Sequence, residues 1–518
     1  MKHAHTADGA RSTMTLNGSS PGQGDSTESP ASPSWSITGE PAAAVVDELV
    51  VSTTAAITEL RPEDLPVPTL TLDSIPGPSP HKTRWGRKGF YRSAQPGAPT
   101  TTRQAEVLNP AIIGSPTDED GVVIGQDVMS GSMVAHDPIT AYPARITSPN
   151  VVVIGMLGSG KSSLLKTVYV VRPLLLRDRR AVVIDKKLRG GEGEYAEATR
   201  YFGAEPFRFD PDGVQGEATC MNILDPIILA GGGPAAQLQL LAAFASLAGA
   251  GQELDEWEHK VLAVAHTQTL ANFAHESRAP VVPDLVAAFD TVVDAPEFAR
   301  MRQSTLDRLD EAAWSQKFRF ERLLADDLRG MFDGETSKHV GLQSKLTTFD
   351  ISALPEDGPA TSMVMLVANA WLTGLLSRQR AQFRTNFVVE EGWHLMTGPA
   401  GKVVRAKAKL SRALGLSIVT AIHHISDIPA GSDAAAMIKE AQTIHLYRQE
   451  HSDDIGDCVR YFNLEASNES ALANLPQGHH LLKIAQQKEI QVRHVRTPVE
   501  EAFTETDAAL IRLTEGAA

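Results

Sequence analysis

Short apolar runs rich in β-branched residues alternate with helical patterns through most of the chain. Val151–Ile154, Ala181–Ile184, Leu346–Ile351, Phe387–Val389, Leu416–Ile422 and Thr443–Tyr447 are almost continuously hydrophobic. Strands of that kind are buried on both faces, so the pattern predicts an α/β fold whose mostly parallel sheet is covered by helices on both sides. Two further runs, Val122–Gly125 and Ser132–Ala135, flank turn residues and predict a hairpin ahead of this sheet. Leu481–Ile484 and Ile490–Val495 predict a second hairpin at its far edge. From about 235 to 330 only helical periodicity is found, in Leu238–Leu247, Glu256–Phe273 and Glu297–Ala313, which predicts an all-helical insertion lying on the sheet. Pro226–Gln252 carries no charge and is long enough to cross a bilayer. Its Gly231-Gly232-Gly233-Pro234 break and many alanines instead predict a loop feeding a buried helix.

Residues 1–80 break the pattern. They are rich in Ser, Thr, Pro, Gly and Ala with few large apolar side chains, so they bury too little surface to offset the entropy of ordering, and a disordered tail is expected. Residues 81–107 form a linker of different character. It holds Lys82, Arg84, Arg87, Lys88, Arg92 and Arg103 with Trp85, Phe90 and Tyr91, and no acidic residue between Lys82 and Arg103. Two readings stand for it: a solvated linker, which the composition favours modestly, and a docking peptide for an anionic surface. The α/β domain is then expected over 108–518. The first thirty residues have no apolar core, so no secretory signal is expected there.

Charge and cysteine content narrow the function classes. Lys and Arg total 48 against 63 Asp and Glu, a formal net charge of −15. An acidic total argues against a protein that coats duplex DNA, because that binding rests on clustered basic residues. The two cysteines, Cys220 and Cys458, are far apart and exclude a disulfide scaffold or a cysteine-rich zinc site, in keeping with a reducing compartment.

The strongest chemical signal follows the strand Asn150–Ile154. Gly155-Met156-Leu157-Gly158-Ser159-Gly160-Lys161-Ser162 fits G-x-x-x-x-G-K-[ST] between a buried strand and a helix. The glycines let successive amides face phosphate oxygens, and the helix that begins near Gly160 adds its positive end. Lys161 would reach the β- and γ-phosphates of ATP, the Ser162 hydroxyl would join the Mg²⁺ shell, and Ser163 closes the nucleotide-binding set. A second strand, Asn386–Val389, ends in Glu390 and Glu391. Glu390 would hold the magnesium shell through water and Glu391 would polarise the attacking water. A third, Gly415–Ile422, runs into His423, which its position marks as a contact to the γ-phosphate or the attacking water.

These residues resemble the motor domain of the traffic ATPases of type IV secretion and conjugation machines, over roughly 120–510. The likeness includes Val183-Ile184-Asp185-Lys186-Lys187 with Gly193-Glu194-Tyr195, Met221–Pro226, Met331–Thr336 and Glu390-Glu391-Gly392-Trp393. The order of the motifs is the same. Lys186 stands where the family has Pro, Leu188–Glu192 looks inserted, and His423 replaces a Gln. On this resemblance the tail and linker are expected to stand where the family has a large amino-terminal domain. The resemblance implies a RecA-like P-loop ATPase acting as a homo-oligomer, a hexameric ring whose sites are each completed by a neighbour's arginine. Arg448 and Arg412 compete for that role, with Arg448 slightly preferred. It also implies secretion-channel subunits as partners, and a cytoplasmic protein held at the membrane only peripherally, through the complex. The alternative is a DNA-pumping translocase or coupling ATPase of the same superfamily, with DNA as a further partner.

Overall fold

The computed structural model describes residues 121–504 apart from 211–218, 326–327, 356–357, 379–382, 391, 393–400, 402–411 and 429–431. The tail, the basic linker and Glu391 lie outside the described residues.

Thirteen strands are found among them. They are β1 (Val123–Asp127), β2 (Met133–Ala135), β3 (Val151–Ile154), β4 (Arg179–Asp185), β5 (Leu188–Arg189), β6 (Glu192–Gly193), β7 (Phe207–Arg208), β8 (Leu346–Asp350), β9 (Arg384–Val389), β10 (Leu416–Ile422), β11 (Thr443–Leu446), β12 (His479–Ile484) and β13 (Ile490–His494). Eleven form one sheet in the order β2-β1-β13-β12-β11-β3-β10-β9-β4-β8-β7. From β11 to β7 every pairing is parallel, and from β11 to β2 every pairing is antiparallel. The mostly parallel sheet expected from the alternation of strands and helices is present, with the phosphate-loop strand β3 at the sheet's centre.

Strand alternation divides the apolar residues between two cores. Val152 and Ile154 face one core with Val182, Ile184, Phe387, Val389 and Ile422. Val151 and Val153 face the other with Ala181, Val183, Val388 and Val419. The first core is covered by the helix Ala360–Arg378, whose Trp371 meets Phe349 edge-on at 6.0 Å between ring centroids. The second is covered by the helix Lys161–Leu164 and its continuation Leu165–Val171. Ala360–Arg378 is long and apolar enough to cross a membrane, but nearly all of it is buried inside the molecule, and its hydrophobicity serves the core.

Three arrangements differ from the sequence expectation. The leading hairpin is part of the main sheet, because β1 pairs with β13. The second hairpin, β12–β13, is therefore internal, and β2 takes the edge. Each hairpin offers its free strand to the other, and pairing them satisfies main-chain groups that two separate edges would leave open. The helical block meets the helix Ala360–Arg378 through Gly233–Ala248; Glu256–Asn272 and Gln303–Glu321 pack on Gly233–Ala248, and Val282–Phe289 packs on those two. Its second helix is fixed at the start by reciprocal caps: Asp255 Oδ1 accepts from the Trp257 and Glu258 amides at 2.8 Å, and Glu258 Oε2 accepts from Asp255 N at 3.0 Å. The charge-free stretch forms Pro226–Ala230 and then Gly233–Ala248, broken at Gly231-Gly232.

Candidate nucleotide-binding and hydrolytic site

Parallel pairing brings the carboxyl ends of β3, β10, β9 and β4 to one edge. Ile422 pairs with Ile154, Thr420 with Val389, and Ile184 with Val389, so Gly155, His423, Glu390 and Asp185 emerge side by side. Ligand crevices in open α/β sheets lie at such an edge.

The loop after β3 needs its glycines where it runs close against Tyr447 and Gly478. Gly155 has φ +157°, and a β-carbon there would lie 2.4 Å from Tyr447 Cβ. Gly160 precedes the helix at φ +110°. The loop is braced from a segment that sequence reasoning did not link to it: Gln477 Nε2 donates to Gly158 O at 3.0 Å, and Gly478 N donates to Ser159 O at 3.0 Å. Leu157 projects into solvent, 78% exposed, at the tip. Lys161 folds back under the loop. Its buried ammonium donates to the carbonyls of Gly155 and Met156, the latter at 2.8 Å, and lies 3.3 Å from His423 Nδ1. His423 thus meets the loop lysine, a contact that the strand pattern by itself did not give.

Ser162 and Glu390 are also brought together, with Ser162 Oγ donating to Glu390 Oε2 at 3.3 Å. Glu390 is 1% exposed. Burial alone would raise its pKa, but the charges of Lys187 and Lys166 and hydrogen bonds from Lys187 and Tyr195 outweigh it and hold the carboxyl below its ordinary range. Tyr195 Oη donates to Glu390 Oε1 at 2.8 Å, and Lys187 Nζ lies 3.0 Å from Oε2 while donating to Ser162 Oγ at 2.7 Å.

Lys187 and Tyr195 complete this cluster, and in the sequence they stood out only as part of a motif. The small hairpin β5–β6, over residues 188–193, places them. It turns at Gly190-Gly191, and Glu194 N closes it onto Lys187 O at 3.1 Å. Asp185 Oδ2 accepts from Tyr195 N at 2.7 Å beneath this turn, and Asp350 Oδ2 accepts from Gly193 N at 3.0 Å. Burial, with the charges of Glu390 and Asp350, pushes the Asp185 carboxyl well above the usual range despite the Tyr195 amide. Lys166, itself buried, pairs with Glu194 at 2.8 Å and sits 5.2 Å from the Tyr195 ring centroid.

The two arginines stand apart. Arg448 follows β11 at the loop edge, half exposed, 3.2 Å from Glu450, and its carbonyl accepts from Met156 N at 3.5 Å. Arg412 is exposed ahead of β10, at the opposite end of a seven-residue strand about 20 Å long.

No protein-family model matches this sequence, and no curated protein matches it. Among solved structures the chain is similar to VirB4 of Thermoanaerobacter pseudethanolicus, at 20% identity and a TM-score of 0.60, over 75% of this chain and 99% of that one. It is also similar to the plasmid coupling protein TrwB in complex with the non-hydrolysable ATP analogue ADPNP, at 14% identity and a TM-score of 0.49, over 73% of this chain and 90% of that one. Fold and loop together define the class, a P-loop NTPase fold. Within that class the chain shares the fold of VirB4, as its sequence motifs implied.

Proposed function

We propose that this protein is an ATPase that energises assembly of, or substrate transfer through, a conjugative or type IV secretion apparatus. The observation that carries the reading is the convergence of Lys161, Ser162, Glu390 and His423 on one sheet edge beside a glycine loop. The likeness of fold to VirB4 supports the assignment to secretion.

The residues fit nucleotide and magnesium. Ser162 and Glu390 already share one cation, the Lys187 ammonium, and Glu390 is held ionised. These two would hold Mg²⁺, which supplies neutralisation of charge on the β- and γ-phosphate oxygens. Lys161 would exchange its two loop carbonyls for phosphate oxygens, a gain because its hydrogen bonds become charge-assisted on both sides. Glu391, next in sequence to Glu390, is the proposed water-orienting base, and His423 positions the Lys161 ammonium. The working form is a homohexamer, cytoplasmic and held at the membrane through its channel partners.

Lys161→Ala should lower nucleotide affinity and reduce turnover by ~10²-fold or more. Glu391→Gln should bind ATP yet hydrolyse it ~10²–10⁴-fold more slowly. Phosphate release measured with and without DNA tests both, and separates this reading from a DNA pump. Wild-type turnover in Lys161→Ala would place the site elsewhere, and strong stimulation by DNA would favour the translocase.

A further inference from the structure

The cation that joins Ser162 to Glu390 in this structure is a side chain. Lys187 Nζ donates to Ser162 Oγ at 2.7 Å and lies 3.0 Å from Glu390 Oε2. Those oxygens are the pair that a P-loop serine and an acidic strand end would offer to a divalent ion. A carboxylate buried as deeply as Glu390 needs a positive neighbour, because an unpaired buried charge is strongly unfavourable.

The way Lys187 is mounted suits a movable charge. Its backbone is anchored, since its carbonyl accepts from Glu194 N at 3.1 Å at the base of β5–β6. Its side chain is one-quarter exposed, while Glu390 and Lys161 are almost fully buried. A four-carbon stem on a fixed base can swing its ammonium by several ångströms without disturbing either core. Lys166 offers a contrast. It is 1% exposed and locked onto Glu194, so it contributes charge but has no path out.

We propose that Lys187 is a resident stand-in for the divalent cation: it occupies the Ser162–Glu390 position, supports nucleotide phosphates when magnesium is absent, and yields that position when magnesium arrives with nucleotide. This rests on the nucleotide-site reading above. Its consequence is a magnesium-free nucleotide complex stable enough to be a real step in loading or release. Removing Lys187 should expose Mg²⁺ dependence that the wild-type chain masks.

The test is titration of a fluorescent ATP analogue into the full chain, in EDTA and in saturating Mg²⁺. Lys187→Gln should lose ~10-fold or more of its affinity in EDTA, the scale of one charge-assisted contact. In Mg²⁺ its affinity should be unchanged or tighter, and the Mg²⁺ concentration for half-saturation should fall. Lys187→Arg keeps the charge but grips the carboxylate with a planar fork, so it should raise the Mg²⁺ concentration needed, and it serves if the glutamine variant does not fold. Equal loss in both media would make Lys187 an ordinary phosphate ligand or a structural ion pair, and would overturn the proposal. So would unchanged affinity in EDTA for Lys187→Gln, or an unchanged Mg²⁺ requirement for Lys187→Arg. The nucleotide reading has its own control. Lys161→Ala should lose affinity in both media, and a Lys161→Ala protein that binds like wild type would remove that reading and this proposal together.

Discussion

At the scale of single residues, the site depends on side chains that no pattern of glycine and lysine names. Tyr195 is fully buried and gives its hydroxyl to the Glu390 carboxylate, a hydrogen bond to a charged acceptor. Its own pKa is pushed well up, first by burial and then by the Glu390 charge, so it remains a donor at every physiological pH. Tyr195→Phe removes that donor and leaves one carboxylate oxygen without it. Stability should fall by about 1.5–3 kcal/mol, read from the urea midpoint. The Glu390 pKa should rise, because a hydrogen bond to its ionised form is lost. An unchanged midpoint would show that the carboxylate draws its support from Lys187 and Lys166 alone.

At the scale of elements, two close contacts decide how layers meet. The helix Pro226–Ala230 crosses Ala360–Arg378 where Gly374 allows backbone contact: a β-carbon at Gly374 would lie 2.0 Å from Ile227 O and 2.7 Å from Ile227 C. Gly374→Val should therefore destabilise by about 1–3 kcal/mol or more through overpacking, measured by thermal or urea unfolding. Gly374→Val at wild-type stability would mean that the helix pair slides freely. The second contact is the layer of rings between β11, β12 and the phosphate-loop helix. Tyr447 backs Gly155, the His480 ring lies 5.1 Å from that of Tyr447 and 4.8 Å from that of His445, and Tyr169 Oη meets His445 Nε2 at 2.6 Å. Neither ring nitrogen of His480 has a hydrogen-bond partner among the described residues.

At the scale of the whole molecule, these buried histidines set an acid limit on stability. Burial first, then neighbouring histidines, hold His445 and His480 well below the ordinary imidazole range, and burial brings His266 down to about 4. In the unfolded chain they titrate near ~6.5, so below that value the unfolded state binds more protons. Stability from this source is complete above ~6.5 and falls as pH drops through it, until the folded values are reached. Urea midpoints measured across this range should fall with acidification, and His480→Leu should flatten the fall. A midpoint that rises on acidification would contradict the assignment. Assembly is tested by mixing. If a neighbour's arginine adds ~10³-fold to phosphoryl transfer, Lys161→Ala subunits mixed with Arg448→Ala or Arg412→Ala subunits should recover activity that neither has alone. Failure of both mixtures, with turnover independent of concentration, would leave the site complete within one subunit.

The sequence by itself determined the parallel strands, the glycine loop with Lys161 and Ser162, and the acidic strand end at Glu390. Each is local: a buried strand shows as an unbroken apolar run, and a phosphate loop as fixed spacing between strand and helix. Sequence also put His423 at the carboxyl end of its strand, whereas the parallel pairing of β10 with β3 that brings it to the loop lysine belongs to the assembled sheet. Only the tertiary structure decided which residues surround that carboxylate. Lys187 and Tyr195 reach Glu390 across about two hundred residues of chain, by way of a two-stranded turn whose residues read as an insertion. Nor could local pattern show that the two hairpins pair with each other, since each satisfies its own alternation whichever strand it meets. Register between distant strands is set by burial and open hydrogen-bonding edges, and those exist only once the sheet is assembled.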